Sequence, residues 1–196
     1  MKKITLLLLS YLFISSPEAY ALASEKSTVL ITGSNRNIGL EFVKQFSKAG
    51  WRVIATTRSI DSADELIEFS KQNQNVIVEQ LDITNDEHLK NLKKKYADDA
   101  IDILLNNAAY TPRYFSSFRG IGGVDIEATR KSFEINSIGT MKVIQTFIGN
   151  VEQSENGKIV NLSTKAASFD ERPKIPMMYS YAMSKAALNS CLLYTS

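Results

Sequence analysis

The chain has 196 residues, 44% hydrophobic and 22% charged, with a formal net charge of +2. That composition belongs to an ordinary globular domain, and its near-neutral balance gives no global reason to expect nucleic-acid binding. A single cysteine excludes an internal disulfide, and one histidine with one cysteine cannot build a common zinc site, so no metal is expected.

Lys2 and Lys3 precede an apolar run from Ile4 to Ile14, followed by Ser15, Ser16, Pro17 and the small-residue pattern Ala21-Leu22-Ala23. This is the order of a secretory signal peptide. The expected division is a signal peptide over 1–23 and one domain over 24–196, exported to the periplasm or beyond. The apolar run is shorter than the ~20 residues of a stable membrane span. An uncleaved leader would instead anchor the domain to a membrane, and a cytoplasmic location is the remaining alternative.

From Ser24 onward, β-branched runs alternate with helical patterns. Thr28–Thr32 reads as a strand ending at Gly33. Ile38, Phe42, Phe46 and Ala49 mark one helix face, stopped by Gly50. Trp51–Thr57 is the second strand, and Asp61 is the expected N-cap of a helix to about Gln72. Asn75–Leu81 is the third strand, and Asn85 caps a helix carrying Leu89, Leu92 and Tyr96. Ile101–Asn106 is the fourth strand, a long helix spans about 126–150, and Lys158–Ser163 is the fifth strand. A last helix begins near Tyr179. Such alternation predicts an α/β domain: a doubly wound parallel sheet of Rossmann type, three layers deep, with ligands at the carboxyl ends of the strands. Tyr110–Val124 has no clear periodicity, and a loop of that length is either functional or disordered; a second long loop, Thr164–Met178, carries two prolines.

The first strand-to-helix turn reads Thr32-Gly33-Ser34-Asn35-Arg36-Asn37-Ile38-Gly39. A glycine just past a strand permits a sharp turn, and one at 39 permits close helix–sheet approach. The helix N-terminus then offers free amides to a phosphate. Gly33, Asn35, Arg36, Asn37, Ile38 and Gly39 are the candidate cofactor-binding residues of this turn. A nucleotide ribose with a free 2′-hydroxyl calls for an acid after the second strand, but Thr57 and Arg58 stand there. A guanidinium suits a 2′-phosphate, so NADP is expected ahead of NAD.

The turn resembles the glycine pattern of the short-chain dehydrogenase/reductase family, with Asn37 in place of its middle glycine. Asn tolerates left-handed backbone better than other residues with a side chain. Several further segments carry the same resemblance, from about Thr28 to Asn189. By that likeness Arg36 is a second NADP-favouring base, Asp82 meets the adenine, and Ile83 packs beside the ring. Asn107-Ala108-Ala109 resembles the family's segment near the nicotinamide ribose, with Ala109 replacing a glycine. Tyr181-Ala182-Met183-Ser184-Lys185 resembles its Tyr-x-x-x-Lys motif. The pair lies one helical turn apart, so Tyr181 would serve as acid/base and Lys185 would lower the phenol's pKa and bind ribose. Tyr179 lacks a lysine four residues on. The hydroxyl that holds the substrate oxygen is expected from Thr164 first, then Ser163, then Ser168. Asn136 resembles the asparagine of a proton relay.

The resemblance is nearest to the carbonyl-reductase branch that includes sniffer and C-factor proteins. It implies hydride transfer between NADP(H) and a small-molecule carbonyl or alcohol, with no nucleic-acid partner. The family continues past the last helix, so the resemblance implies a C-terminally incomplete domain with its last strands missing and a homo-oligomeric full-length form. The alternative is an inactive dinucleotide-binding sensor or interaction module.

Overall fold

The parallel strands are short, β-branched and apolar because both of their faces are covered. In the computed structural model, which describes residues 26–112, 120–171 and 178–192, β1 (Thr28–Ile31) is buried along its whole length. It pairs with β2 (Arg52–Thr57) on one side and β4 (Ile103–Asn106) on the other. β3 (Val76–Gln80) adds to β2, and β5 (Lys158–Asn161) adds to β4. The sheet is fully parallel in the order β3-β2-β1-β4-β5. The leader expected over 1–23 lies outside the described residues.

Side chains alternate across the sheet, so each strand feeds two cores. Leu30, Ile54 and Leu104 are aligned in register and face one layer. There they meet Leu89 and Leu92 of α3 (Asp86–Lys95) and Val143, Phe147 and Val151 of α5 (Thr140–Glu152). Val29, Ile31, Val53 and Ala55 face the other layer. Their partners are Leu40 and Val43 of α1 (Asn37–Lys48) and Leu66 of α2 (Asp64–Gln72). The observed layers match the expected doubly wound architecture.

Most strand ends fall one or two residues inside their expected bounds, and three differences bear on the packing or the site. Asp61 is not the cap of α2: it lies in a separate turn, Ile60–Ser62, and α2 begins after Ala63 with no side-chain cap. Burial of Ala63 (1% exposed) and Leu66 (0%) fixes that helix start instead. Asn85 does cap α3, accepting from the amides of Glu87 and His88. β5 ends at Asn161, so Ser163 and Thr164 lie past the strand. The long helix is interrupted: α4 (Ile126–Phe133) passes through a π turn, Glu134–Gly139, into α5. A last helix, α6, spans Tyr179–Leu192.

Candidate active site

Between β1 and β4 the strand order reverses, which opens a crevice at their carboxyl ends. The turn from β1 to α1 fills the edge of that crevice. Gly33 takes φ +69°, and a Cβ there would lie 2.8 Å from Ala108 Cα. A Cβ on Gly39 would lie 2.1 Å from the Gly33 carbonyl oxygen and 2.6 Å from Asn107 Nδ2. Asn37 takes φ +49°, the left-handed conformation expected of it. Thr32 and Asn107 lock the turn to β4. The Thr32 hydroxyl accepts from the amides of Asn107 and Ala108, both at 3.1 Å. Asn107 Nδ2 donates to the carbonyls of Thr32 (3.0 Å) and Gly33 (2.8 Å). Ser34 is buried, its amide bonded to Thr56 O. Thr32 and Ser34 join the site beyond the sequence expectation; hydroxyl residues next to a strand-ending glycine are the signal.

The outer parts of the turn remain open. Arg36 precedes α1 in extended conformation and is exposed, and Ile38 is 59% exposed. Asn35 donates to Ser62 O at 3.4 Å. Arg58 is exposed just past β2. Its charge reaches Asp82 after β3. Burial pushes the Asp82 carboxyl up, but bonds from the Thr84 hydroxyl and amide, with Arg58 and His88, hold it below its ordinary value. The Ile83 side chain, expected beside the adenine ring, is 5% exposed and packs in the core against α3 and α5 and beside Gly139.

The second half of the site comes from α6 and the π turn. Lys185 is 2% exposed, and its Nζ donates to Leu162 O, just past β5, at 2.7 Å. Burial pushes the ammonium down to about 8. Tyr181, one turn earlier, is half-buried, and burial raises its phenol above the ordinary value. This corrects the sequence expectation of a lowered phenol: withdrawal from water disfavours phenolate and ammonium alike.

Asn136 lies in the π turn with 0% exposure. Its Oδ1 accepts from Tyr110 N (2.7 Å), and its Nδ2 donates to Tyr110 O and Ser184 Oγ, both at 2.9 Å. Ala108 packs on the core, and exposed Ala109 leads into this clasp. Of the three hydroxyl candidates, Thr164 Oγ1 accepts from Ala166 N (3.2 Å) and Ser168 Oγ from Glu171 N (3.1 Å). Each keeps its own proton to donate. Ser163 is exposed. Among the described residues, no cluster of His, Cys, Asp or Glu is built to hold a metal, and no helix is long and apolar enough to cross a membrane.

A parallel sheet reversing at a glycine turn, with a Tyr/Lys helix packed beside its carboxyl edge, defines a Rossmann-type α/β protein. The chain belongs to the short chain dehydrogenase family, whose model matches residues 27–193. An oxidoreductase of Schizosaccharomyces pombe is 33% identical over 164 residues, covering 82% of this chain. This chain spans 62% of that relative, and less than two thirds of the curated relatives first matched. A carbonyl reductase from Pseudomonas aeruginosa, solved in complex with NADP, superimposes with a TM-score of 0.75 at 26% identity, covering 85% of this chain and 73% of that one. The carbonyl reductase Sniffer of D. melanogaster shares the fold, with a TM-score of 0.71 at 23% identity over 85% of this chain and 72% of that one.

Proposed function

We propose that this chain binds NADP(H) at the β1–β4 crevice and interconverts a carbonyl compound and its alcohol. The donor set fits the cofactor. Arg36 and Arg58 are exposed forked donors beside the turn, suited to a 2′-phosphate, and the α1 N-terminus faces a diphosphate favourably. Asp82, held as carboxylate, suits a hydrogen bond from adenine. NADP-bound structural relatives support the same reading. When bound, the dinucleotide supplies or accepts the hydride.

The observation that carries the proposal is the bond from Lys185 Nζ to Leu162 O, because it ties the Tyr181–Lys185 face of α6 to the carboxyl end of β5. In the reducing direction Tyr181 donates its phenolic proton to the substrate oxygen. Its raised pKa keeps that proton in place at neutral pH. Lys185, titrating at about 8, stabilises the phenolate left behind and returns a proton. Thr164, ahead of Ser163 and Ser168, orients the substrate oxygen through its free proton. Asn136 holds the wall formed by Tyr110 and anchors the relay.

The test is NADPH oxidation with a panel of aldehydes and ketones, comparing wild type with Tyr181→Phe. Loss of a general acid lowers kcat by about 10²- to 10⁴-fold. Cofactor binding without Tyr181-dependent turnover overturns the enzyme reading in favour of a dinucleotide sensor. Export through a cleaved leader over 1–23 is a separate proposal, supported by the sequence pattern. N-terminal sequencing of the purified protein tests it, and a retained Met1 overturns it.

A further inference from the structure

We propose that Ser184 is a positioning residue that sets the Tyr181–Lys185 pair, an inference that rests on the oxidoreductase reading above. Ser184 is 0% exposed and sits between the two residues in the chain. Its hydroxyl accepts from Asn136 Nδ2 at 2.9 Å and donates to the Tyr181 carbonyl at 2.8 Å. The π turn holds the same residue a second time, because Ser137 Oγ donates to Ser184 O at 2.7 Å.

These bonds form one continuous path. The Tyr110 backbone is held by Asn136, Asn136 by Ser184, and Ser184 by the first turn of α6. A serine in a helix interior ordinarily bonds back to its own helix and adds little. Here the oxygen also takes a proton from a buried amide on another element. Water cannot replace that partner at zero exposure, so removing the hydroxyl leaves one Asn136 N–H without an acceptor. The azimuth of α6 about its axis then loses its tie to the Asn136 side chain and rests on apolar packing, the bonds of Ser137 to the Ser184 carbonyl and of Thr129 to Ser180, and Lys185, so the phenol and ammonium shift together relative to β4 and β5. Ser184 itself touches neither reacting atom; it acts through the carbonyl of Tyr181.

The test uses the 196-residue chain with NADPH as the probe. Wild type, Ser184→Ala and Ser184→Cys are compared in NADPH binding, in kcat against pH, and in tyrosinate absorbance assigned to Tyr181 by difference from Tyr181→Phe in each background. Ser184→Ala is expected to bind NADPH within about 3-fold of wild type while kcat falls about 10- to 100-fold. The Tyr181 titration midpoint is expected to move by about half a pH unit or more. Ser184→Cys, which keeps the size and a weak donor, recovers part of the loss. If Ser184→Ala fails to fold, Ser184→Cys carries the same three comparisons. An unchanged Tyr181 midpoint overturns the proposal, even where the melting temperature or kcat falls, because a purely structural role leaves the phenol's surroundings alone. A shifted midpoint in a chain that turns over no carbonyl leaves the positioning role standing and removes the oxidoreductase reading.

Discussion

Asn136 clasps Tyr110 by both backbone groups, accepting from its amide at 2.7 Å and donating to its carbonyl at 2.9 Å. This is a side chain imitating one rung of a sheet, and it fixes the chain just past β4 to the π turn. Asn136→Ala removes both bonds and the one to Ser184. The expected loss of stability is about 2–4 kcal/mol, because the partly buried backbone groups of Tyr110 and the buried Ser184 hydroxyl lose their partner. The urea midpoint measures it; a change under about 0.5 kcal/mol would show that the clasp is incidental.

Lys185 stands at a cost to the fold. Its folded pKa of about 8 lies below the ordinary lysine value of about 10.4. Between those values the unfolded chain binds more protons, so stability rises with pH across that window. Below about pH 8 both states are protonated and the burial penalty stands in full. Lys185→Met is therefore expected to stabilise the cofactor-free chain at pH 7 by about 1–3 kcal/mol, with the gain shrinking towards pH 10, while turnover is lost. Denaturation at the two pH values checks the sign.

Gly39 touches backbone that has no room to yield. Gly39→Ala places a methyl carbon 2.1 Å from the Gly33 oxygen, so α1 must shift away from the sheet. The expected result is a loss of about 1–3 kcal/mol in stability and of about 10-fold or more in NADPH affinity. Fluorescence titration gives the second figure, and unchanged affinity would mean that the turn does not hold the dinucleotide.

Asn37 carries left-handed backbone at φ +49°. Asn37→Gly removes the cost of a side chain there and is expected to leave stability unchanged or raise it by up to about 1 kcal/mol. Asn37→Val, with a β-branched side chain, is expected to lower it by about 1–2 kcal/mol. Thermal melts of the two variants should diverge in those directions.

Arg58 decides between cofactors in this reading. Arg58→Glu replaces a forked donor by a carboxylate that repels phosphate and suits a ribose hydroxyl. NADPH affinity is expected to fall about 10- to 100-fold, with NADH affected far less. Equal losses for both dinucleotides would place the 2′-phosphate elsewhere.

The order of strands and helices was legible in the residues, since β-branched runs and 3.6-residue spacing are local signals that burial on both faces makes strong. The left-handed backbone at Asn37 and the cap at Asn85 were equally legible, because each depends on neighbours close in the chain. The partners of Thr32, Asn136 and Ser184 were not, because they stand 75, 26 and 48 residues away and meet only when β1, β4, the π turn and α6 pack together. Packing also turned Ile83 into the core and raised the Tyr181 phenol where a charge argument alone predicted a fall. Sequence determined which chemical groups the crevice has available; the tertiary structure decided which of them lose water and which are bonded to each other, because dehydration and hydrogen-bond geometry are properties of the packed chain.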